Sequence, residues 1–316
     1  MLEQKRCCFF SVFRVRAMNK ILLHAILLLL VAVSPATGHE IALVRGDAGL
    51  PAQQAGRAFV RELERLLPPL GAKSIAPHVF HEIDLGADES PEQGAAQISA
   101  VRPELILALG PRALAAARLV ADVPVVALLV AAPEKLLTGR DDMAAIKLAI
   151  PPKAQLDEMS RLLPGIRRVG VIYDPARSAA LLAEARAGRP DLEFVALAAA
   201  DEKAVAGLLD ELRSRIDLLW LLPDPTVITS RTFPLFQRFS FENRLPILSF
   251  AEKHLKPGAA LVVTFDIEAM GREAAALAVR LLRGRPPAER VSVPAGMKTL
   301  VNETILQNLS SVSSPS

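Results

Sequence analysis

Short apolar runs alternate along this chain with stretches in which apolar residues recur every three or four positions. The run Leu218 to Leu222 shows the first pattern most sharply. Five apolar residues are too few for a typical helix and lack the polar alternation of a half-solvated strand, so they predict a strand buried on both faces. The run stops at Pro223-Asp224-Pro225-Thr226. Proline cannot donate to a ladder there, and the Asp and Thr oxygens are available to cap a helix or meet a ligand.

The same unit of buried strand, polar tip and helix recurs throughout. Strands are predicted over 41–44, 78–83, 105–109, 124–130, 145–150, 168–173, 192–197, 218–222, 246–250 and 259–265, with another near Val291. Helices are predicted over 51–67, from Ser90 onward, 111 to about 121, 153–163, 181–187, 201–215, 230–243, 267–283 and 301–309. Ala55, Phe59, Leu63 and Leu66 illustrate the helical stripe, and Gly284 the C-terminal stop.

Strands separated by helices imply parallel βαβ units with right-handed crossovers. Pro151-Pro152 divides them into two series, each near the usual size of a domain. The expected fold is α/β, with two doubly wound Rossmann-like lobes built on parallel sheets. The boundary of the first lobe is expected at Pro151-Pro152, and a disordered tail over 310–316. Ligands of open α/β sheets bind beyond the carboxyl ends of the strands, so the tips are the places to look for function.

The first 38 residues stand apart. Ile21 to Val33 is apolar except for His24, follows Lys20 and precedes small residues at Pro35 to Gly38. A spanning helix needs about 20 apolar residues, so this run is expected to be a cleaved secretory signal. An uncleaved anchor is the alternative, and Met18 offers a second possible start. Removing the segment changes the formal charge from +3 to −1, because Lys5, Arg6, Arg14, Arg16 and Lys20 go with it against Glu3. The basic balance then no longer argues for a nucleic-acid partner. Cys7 and Cys8 go too, leaving no disulfide, thiolate metal site or cysteine nucleophile in a mature chain.

No catalytic motif emerges. The glycines at 46, 49 and 110 do not form a dinucleotide fingerprint, and neither a phosphate-binding loop nor a hydrolase elbow is present. His78 and His81 fall on opposite faces of a strand, which predicts a solvated edge, not a metal site. No enzyme activity and no cofactor are expected. What remains is polar groups at strand ends: Arg45, Arg112, Asp174, Arg177, Ser178, Asp224, Thr226, Ser249, Glu252 and Asp266. Asp174, Asp224 and Asp266 each precede a predicted helix and could be caps, while Tyr173 could stack on a ligand. Trp220, inside its apolar run, is expected in the core.

Val101 to Ala117, Val123 to Val126, Ile166 to Pro175, Pro223 to Val227 and Phe265-Asp266 resemble the ABC-transporter substrate-binding protein family. That family has the type I periplasmic-binding fold, and the branch in question has characterised members that bind aromatic or other amino acids. The resemblance implies parallel sheets joined by a three-strand hinge, with the first lobe over 39–150 and 266–288 and the second over 151–265 and 289–309. It also implies a periplasmic monomer, with a small-molecule ligand closed between the two lobes and passed to an ABC permease in the inner membrane. A sensor subunit acting on a membrane receptor is the rival role. Carried onto this sequence, the first lobe would offer Arg45, Gly110, Pro111, Arg112, Ala131 and Ala132. The second would offer Tyr173, Asp174, Ser178, Asp224 and Thr226, with Asp266 at a hinge. Pro111 stands where a hydroxyl residue is common and Ala131-Ala132 where a polar pair is common, which implies a less polar first lobe.

Overall fold

The computed structural model describes residues 38–47, 49–67 and 77–310. The leader (but for Gly38) and the tail beyond residue 310 lie outside them. The first series runs β1 (Glu40–Arg45), α1 (Leu50–Leu66), β2 (Val79–Asp84), α2 (Pro91–Ala100), β3 (Leu105–Leu109), α3 (Pro111–Ala117), β4 (Val125–Val130) and β5 (Met143–Lys147). The second runs α4 (Pro152–Leu162), β6 (Arg168–Tyr173), α5 (Pro175–Gly188), β7 (Glu193–Ala198), α6 (Val205–Leu212), β8 (Leu218–Trp220), α7 (Phe233–Asn243), β9 (Ile247–Ser249) and β10 (Leu261–Phe265). Four elements follow: α8 (Ile267–Leu282), β11 (Val291–Ser292), β12 (Met297–Val301) and α9 (Glu303–Ser310).

Two six-stranded sheets result, ordered β11-β5-β4-β3-β1-β2 and β12-β10-β9-β8-β6-β7. The first is parallel throughout. In the second only β12 is antiparallel, laid along β10 with Met297 opposite Phe265. The apolar-run pattern did not reveal β12, because Met297-Lys-Thr-Leu-Val301 has neither a continuous apolar run nor clean alternation. The expected helix over 301–309 starts at Glu303, after this strand.

Each sheet is covered on both faces, which is why its strands read as continuous apolar runs. Ile41, Leu43, Leu105 and Leu107 pack toward α1 and α8, while Ala42, Val44, Ile106 and Ala108 pack toward α2 and α3. Fully burying a Leu, Ile or Phe such as Phe59 contributes roughly 1.5–3 kcal/mol. The α2–α3 face is built largely from Ala, so its helices sit close. The second sheet divides the same way between α6–α7 and α4–α5. Trp220 is 1% exposed and belongs to the α4–α5 side, where its indole N–H donates to Gln155 Oε1 at 3.1 Å.

Three crossings join the sheets, and all leave from strand carboxyl ends. The chain passes from β5 at Lys147 to α4 at Pro152, and from β10 at Phe265 directly into α8, which packs in the first lobe's core. The last crossing runs from Ser292 to Met297. It comes later than the sequence division at 288 suggested, because Val291 and Ser292 still pair with Ala145 and Ile146. Phe265 touches cores of both lobes. The connections therefore lie at the carboxyl edges of both sheets.

Candidate functional site

In each sheet the strand order reverses once among neighbours that follow the opening strand, and ligands bind at such switch points. In the first sheet the reversal is between β1 and β3, in the second between β6 and β8.

At the first switch point, backbone dominates. Gly110 ends β3 at φ 94°, a conformation that suits glycine, and Pro111 opens α3. Gly46, at the end of β1, donates to the Leu109 carbonyl at 3.0 Å. A Cβ on Gly46 would come within 2.9 Å of the Ala113 nitrogen and 3.0 Å of Arg112 Cβ, so only glycine permits this approach. Arg112 reaches back over the sheet edge, donating to the carbonyls of Gly46 (3.2 Å) and Gly86.

Arg45 is placed differently from a free cleft cation. It donates to Asp84 (2.5 Å) and Glu82 (2.8 Å) on the edge strand β2. The hydrogen bond to Arg45 holds the Asp84 carboxyl below the usual carboxylate range. Ala131 and Ala132 follow β4 and are exposed. A register shift between Leu128 and Val130, with Leu129 at φ 61°, bends the strand just before them.

The second switch point is a connected polar cluster that brings Asp174, Ser178, Asp224 and Thr226 together. Asp224 is 1% exposed; its Oδ2 accepts from the Asp174 backbone N–H (2.8 Å) and the Ser178 hydroxyl (2.7 Å), and its Oδ1 from the Thr226 N–H (3.0 Å). The Thr226 hydroxyl donates to Asp174 Oδ2 at 2.9 Å. Asp174 Oδ1 accepts from the Ala176 N–H at 2.9 Å, capping α5. That helix starts at Pro175, earlier than its apolar spacing suggested, so Ser178 occupies its first turn and is buried. Asp224 thus fastens two strand tips together from beneath, while Asp174, half-buried, forms the upper layer. Tyr173 is half-buried beside it and packs on the α4–α5 core. Asp266 caps α8 through the Ala269 N–H (2.9 Å) and is set apart at the crossing, 3.9 Å from Arg272.

One group at a neighbouring tip was not singled out from the sequence. His254, beyond β9, is buried, with Nδ1 2.7 Å from Ser249 Oγ and its ring stacked on Phe233 at 4.3 Å. Burial, reinforced by Lys253, lowers its pKa to about 4, so it is neutral near pH 7. An isolated histidine after an apolar strand gives no periodic signal that could have marked it. A groove of about 520 Å³ lined by Leu163, Ile166, Pro246 and Leu306 lies at the opposite, amino-terminal end of the second sheet. Among the described residues no cluster of side chains suits a metal ion, and no helix is long and apolar enough to cross a membrane.

Comparison with known proteins decides the family. The model of a family described as ABC transporter substrate binding protein matches residues 85–314. The chain belongs to that family. A tyrosine-binding protein of Clostridioides difficile (strain R20291) is 24% identical to this substrate-binding protein over 159 residues. The match covers 49% of this chain and 46% of that relative, less than half the length of each. Among solved structures, the ligand-free, open form of a substrate-binding protein with adhesive properties from Clostridium difficile is similar with a TM-score of 0.70. It is 18% identical, covering 88% of this chain and 96% of that one. A Streptococcus pneumonia domain in complex with L-Trp gives 0.54 at 18% identity, covering 86% and 95%. At these identities the likeness establishes the fold, which is that of type I periplasmic binding proteins.

Proposed function

We propose that this substrate-binding protein closes on an amino acid or a similar small molecule in the cleft between its lobes and delivers it to an ABC permease. It would do so in the periplasm after loss of its leader, as a monomer and without turning the ligand over. The observation that carries the reading is the prebuilt polar cluster at the β6–β8 switch point, beside the crossings. Such a cluster, held in place by its own hydrogen bonds, can meet a polar ligand without reorganising. The names of two similar proteins, one tyrosine-binding and one complexed with L-Trp, favour the amino-acid class. Ligand bridging both lobes would favour the closed state by its differential contacts there.

Thermal unfolding with each of the twenty amino acids tests the binding step. A ligand at a hundred times its dissociation constant stabilises by about 2.7 kcal/mol, roughly 5 to 10 °C for a protein of this size. No shift with any of them would overturn the amino-acid reading. Uptake of the labelled ligand by cells lacking the protein tests delivery. Unchanged uptake together with a lost cellular response to the ligand would establish the sensor role instead.

A further inference from the structure

We infer that the groove at the amino-terminal end of the second sheet is a second ligand site, which takes an aliphatic monocarboxylate with its chain on the groove's apolar wall and its carboxylate on Arg244. The site lies at the other end of the sheet from the strand tips and does not depend on what the cleft takes up.

The wall is apolar because it is made where helices end and strands begin. Leu163 follows α4 and Ile166 leads into β6; both are half-buried, with one side packed on the α4–α5 core. Pro246 leads into β9, and Leu306 comes from α9. Proline carries no N–H, so Pro246 adds apolar surface without a donor. Among the described residues the lining has no aromatic ring, so what it offers a ligand is aliphatic contact. Its volume of about 520 Å³ falls in the range of small-molecule sites, roughly 300–1,000 Å³.

Two charged residues line the groove, Asp217 and Arg244, and they are not equivalent. Asp217 is fully engaged. Its Oδ1 accepts from Arg168 Nε (3.2 Å) and Nη2 (2.7 Å), and its Oδ2 from the backbone N–H groups of Arg167 (3.1 Å) and Arg168 (2.7 Å). That uses the lone-pair capacity of both oxygens, and Arg168 cancels the charge. The Arg244 side chain, by contrast, makes no hydrogen bond or ion pair among the described residues. Its guanidinium keeps its donors and its positive charge, and a planar fork of this kind matches a carboxylate in bidentate fashion.

The backbone at Arg244 is a second observation. The residue ends α7 in the left-handed region, at φ 55° and ψ 41°, a place that glycine or asparagine fills at less cost. A long cationic side chain stands there against that preference, and residues held in such conformations cluster at ligand sites. Because α4 and α7 both end at this groove, their carbonyl ends oppose an anion. That effect is about two- to fivefold in affinity, whereas a charge-assisted pair with the guanidinium contributes about 10- to 100-fold, so the anion is favoured.

The test is titration calorimetry with octanoate, 1-octanol and octylammonium, which share a chain and differ in the head group. Wild-type protein is expected to bind octanoate at least about tenfold more tightly than the other two. Arg244→Gly removes the guanidinium and suits φ 55°, so octanoate should weaken by about 10- to 100-fold while the Tm holds or rises. Asp174→Asn, at the far end of the sheet, should leave octanoate binding unchanged. No binding of octanoate up to about 1 mM, a preference for octylammonium, or full affinity in Arg244→Gly each overturns the proposal. So does a loss in Asp174→Asn with Arg244→Gly unaffected, which would put the chain in the cleft. A dimer in sedimentation that Arg244→Gly abolishes would assign the groove to a second copy of the protein and overturn it as well.

Discussion

Replacing Asp224 by alanine separates a fastener from a ligand contact. In the folded protein its carboxylate accepts three hydrogen bonds, from the Asp174 N–H, the Ser178 hydroxyl and the Thr226 N–H. Truncation leaves all three donors without their acceptor. The Ser178 hydroxyl can rotate, but the two backbone N–H groups are fixed by β6, α5 and the tip after β8. Each buried donor left unpaired costs about 1–3 kcal/mol, so the expected loss is about 3 kcal/mol once the hydroxyl is discounted. For a protein of this size that corresponds to roughly 6 to 12 °C in Tm. Trp220 is the single tryptophan of the sequence and is buried in the same lobe, so its fluorescence follows unfolding where the damage is made. The measurement is made on ligand-free protein, with wild type alongside. An unchanged Tm in a variant that has lost ligand affinity would refute the reasoning, since Asp224 would then face the ligand and not the lobe's own donors.

Three further outcomes are expected. Gly271→Ala should destabilise the protein by at least 1–3 kcal/mol, since its Cβ would lie 2.4 Å from the Ala55 carbonyl oxygen where α8 crosses α1; urea unfolding midpoints measure this, and a neutral result would mean the helices can separate freely. His254 has a folded pKa of about 4 against the ordinary 6.5, so the unfolded chain takes up a proton as pH falls below about 6.5 while the folded one resists until about 4. Stability should therefore decline across that window in wild type, and Tm against pH should be flatter there in His254→Asn. Asp266→Ala should cost about 1 kcal/mol through loss of the α8 cap, whereas Asp266→Asn should hold its Tm close to wild type; differential scanning calorimetry of the pair distinguishes the cap from a purely electrostatic role.

Local patterning carried much of this architecture. Runs such as Leu105 to Leu109 and Leu218 to Leu222 lie between helices on both faces, so they had to be apolar at every position, and that requirement is written in consecutive residues. The same holds for the strand-tip-helix unit, because proline and the capping aspartates act on their immediate neighbours; Asp174 and Asp266 are caps as their positions suggested. The strand near Val291 was read and is β11, but its pairing with β5 was not, and β12 was not legible at all, since its five residues of mixed polarity take their conformation from the strand they pair with.

The site divides along the same line. That Asp174, Asp224 and Thr226 occupy strand tips follows from the sequence. That Asp224 reaches a backbone N–H 50 residues away, and so disappears beneath Asp174, follows only from β6 lying beside β8. Likewise Arg45 and Arg112 look alike as basic residues at strand ends. Sheet order places Arg45 against the acidic end of β2 and leaves Arg112 on neutral carbonyls. Hydrophobic periodicity reports which face of an element is buried, because burial repeats along the chain; it carries no information about which tips meet, because that is fixed by pairing between strands far apart in sequence.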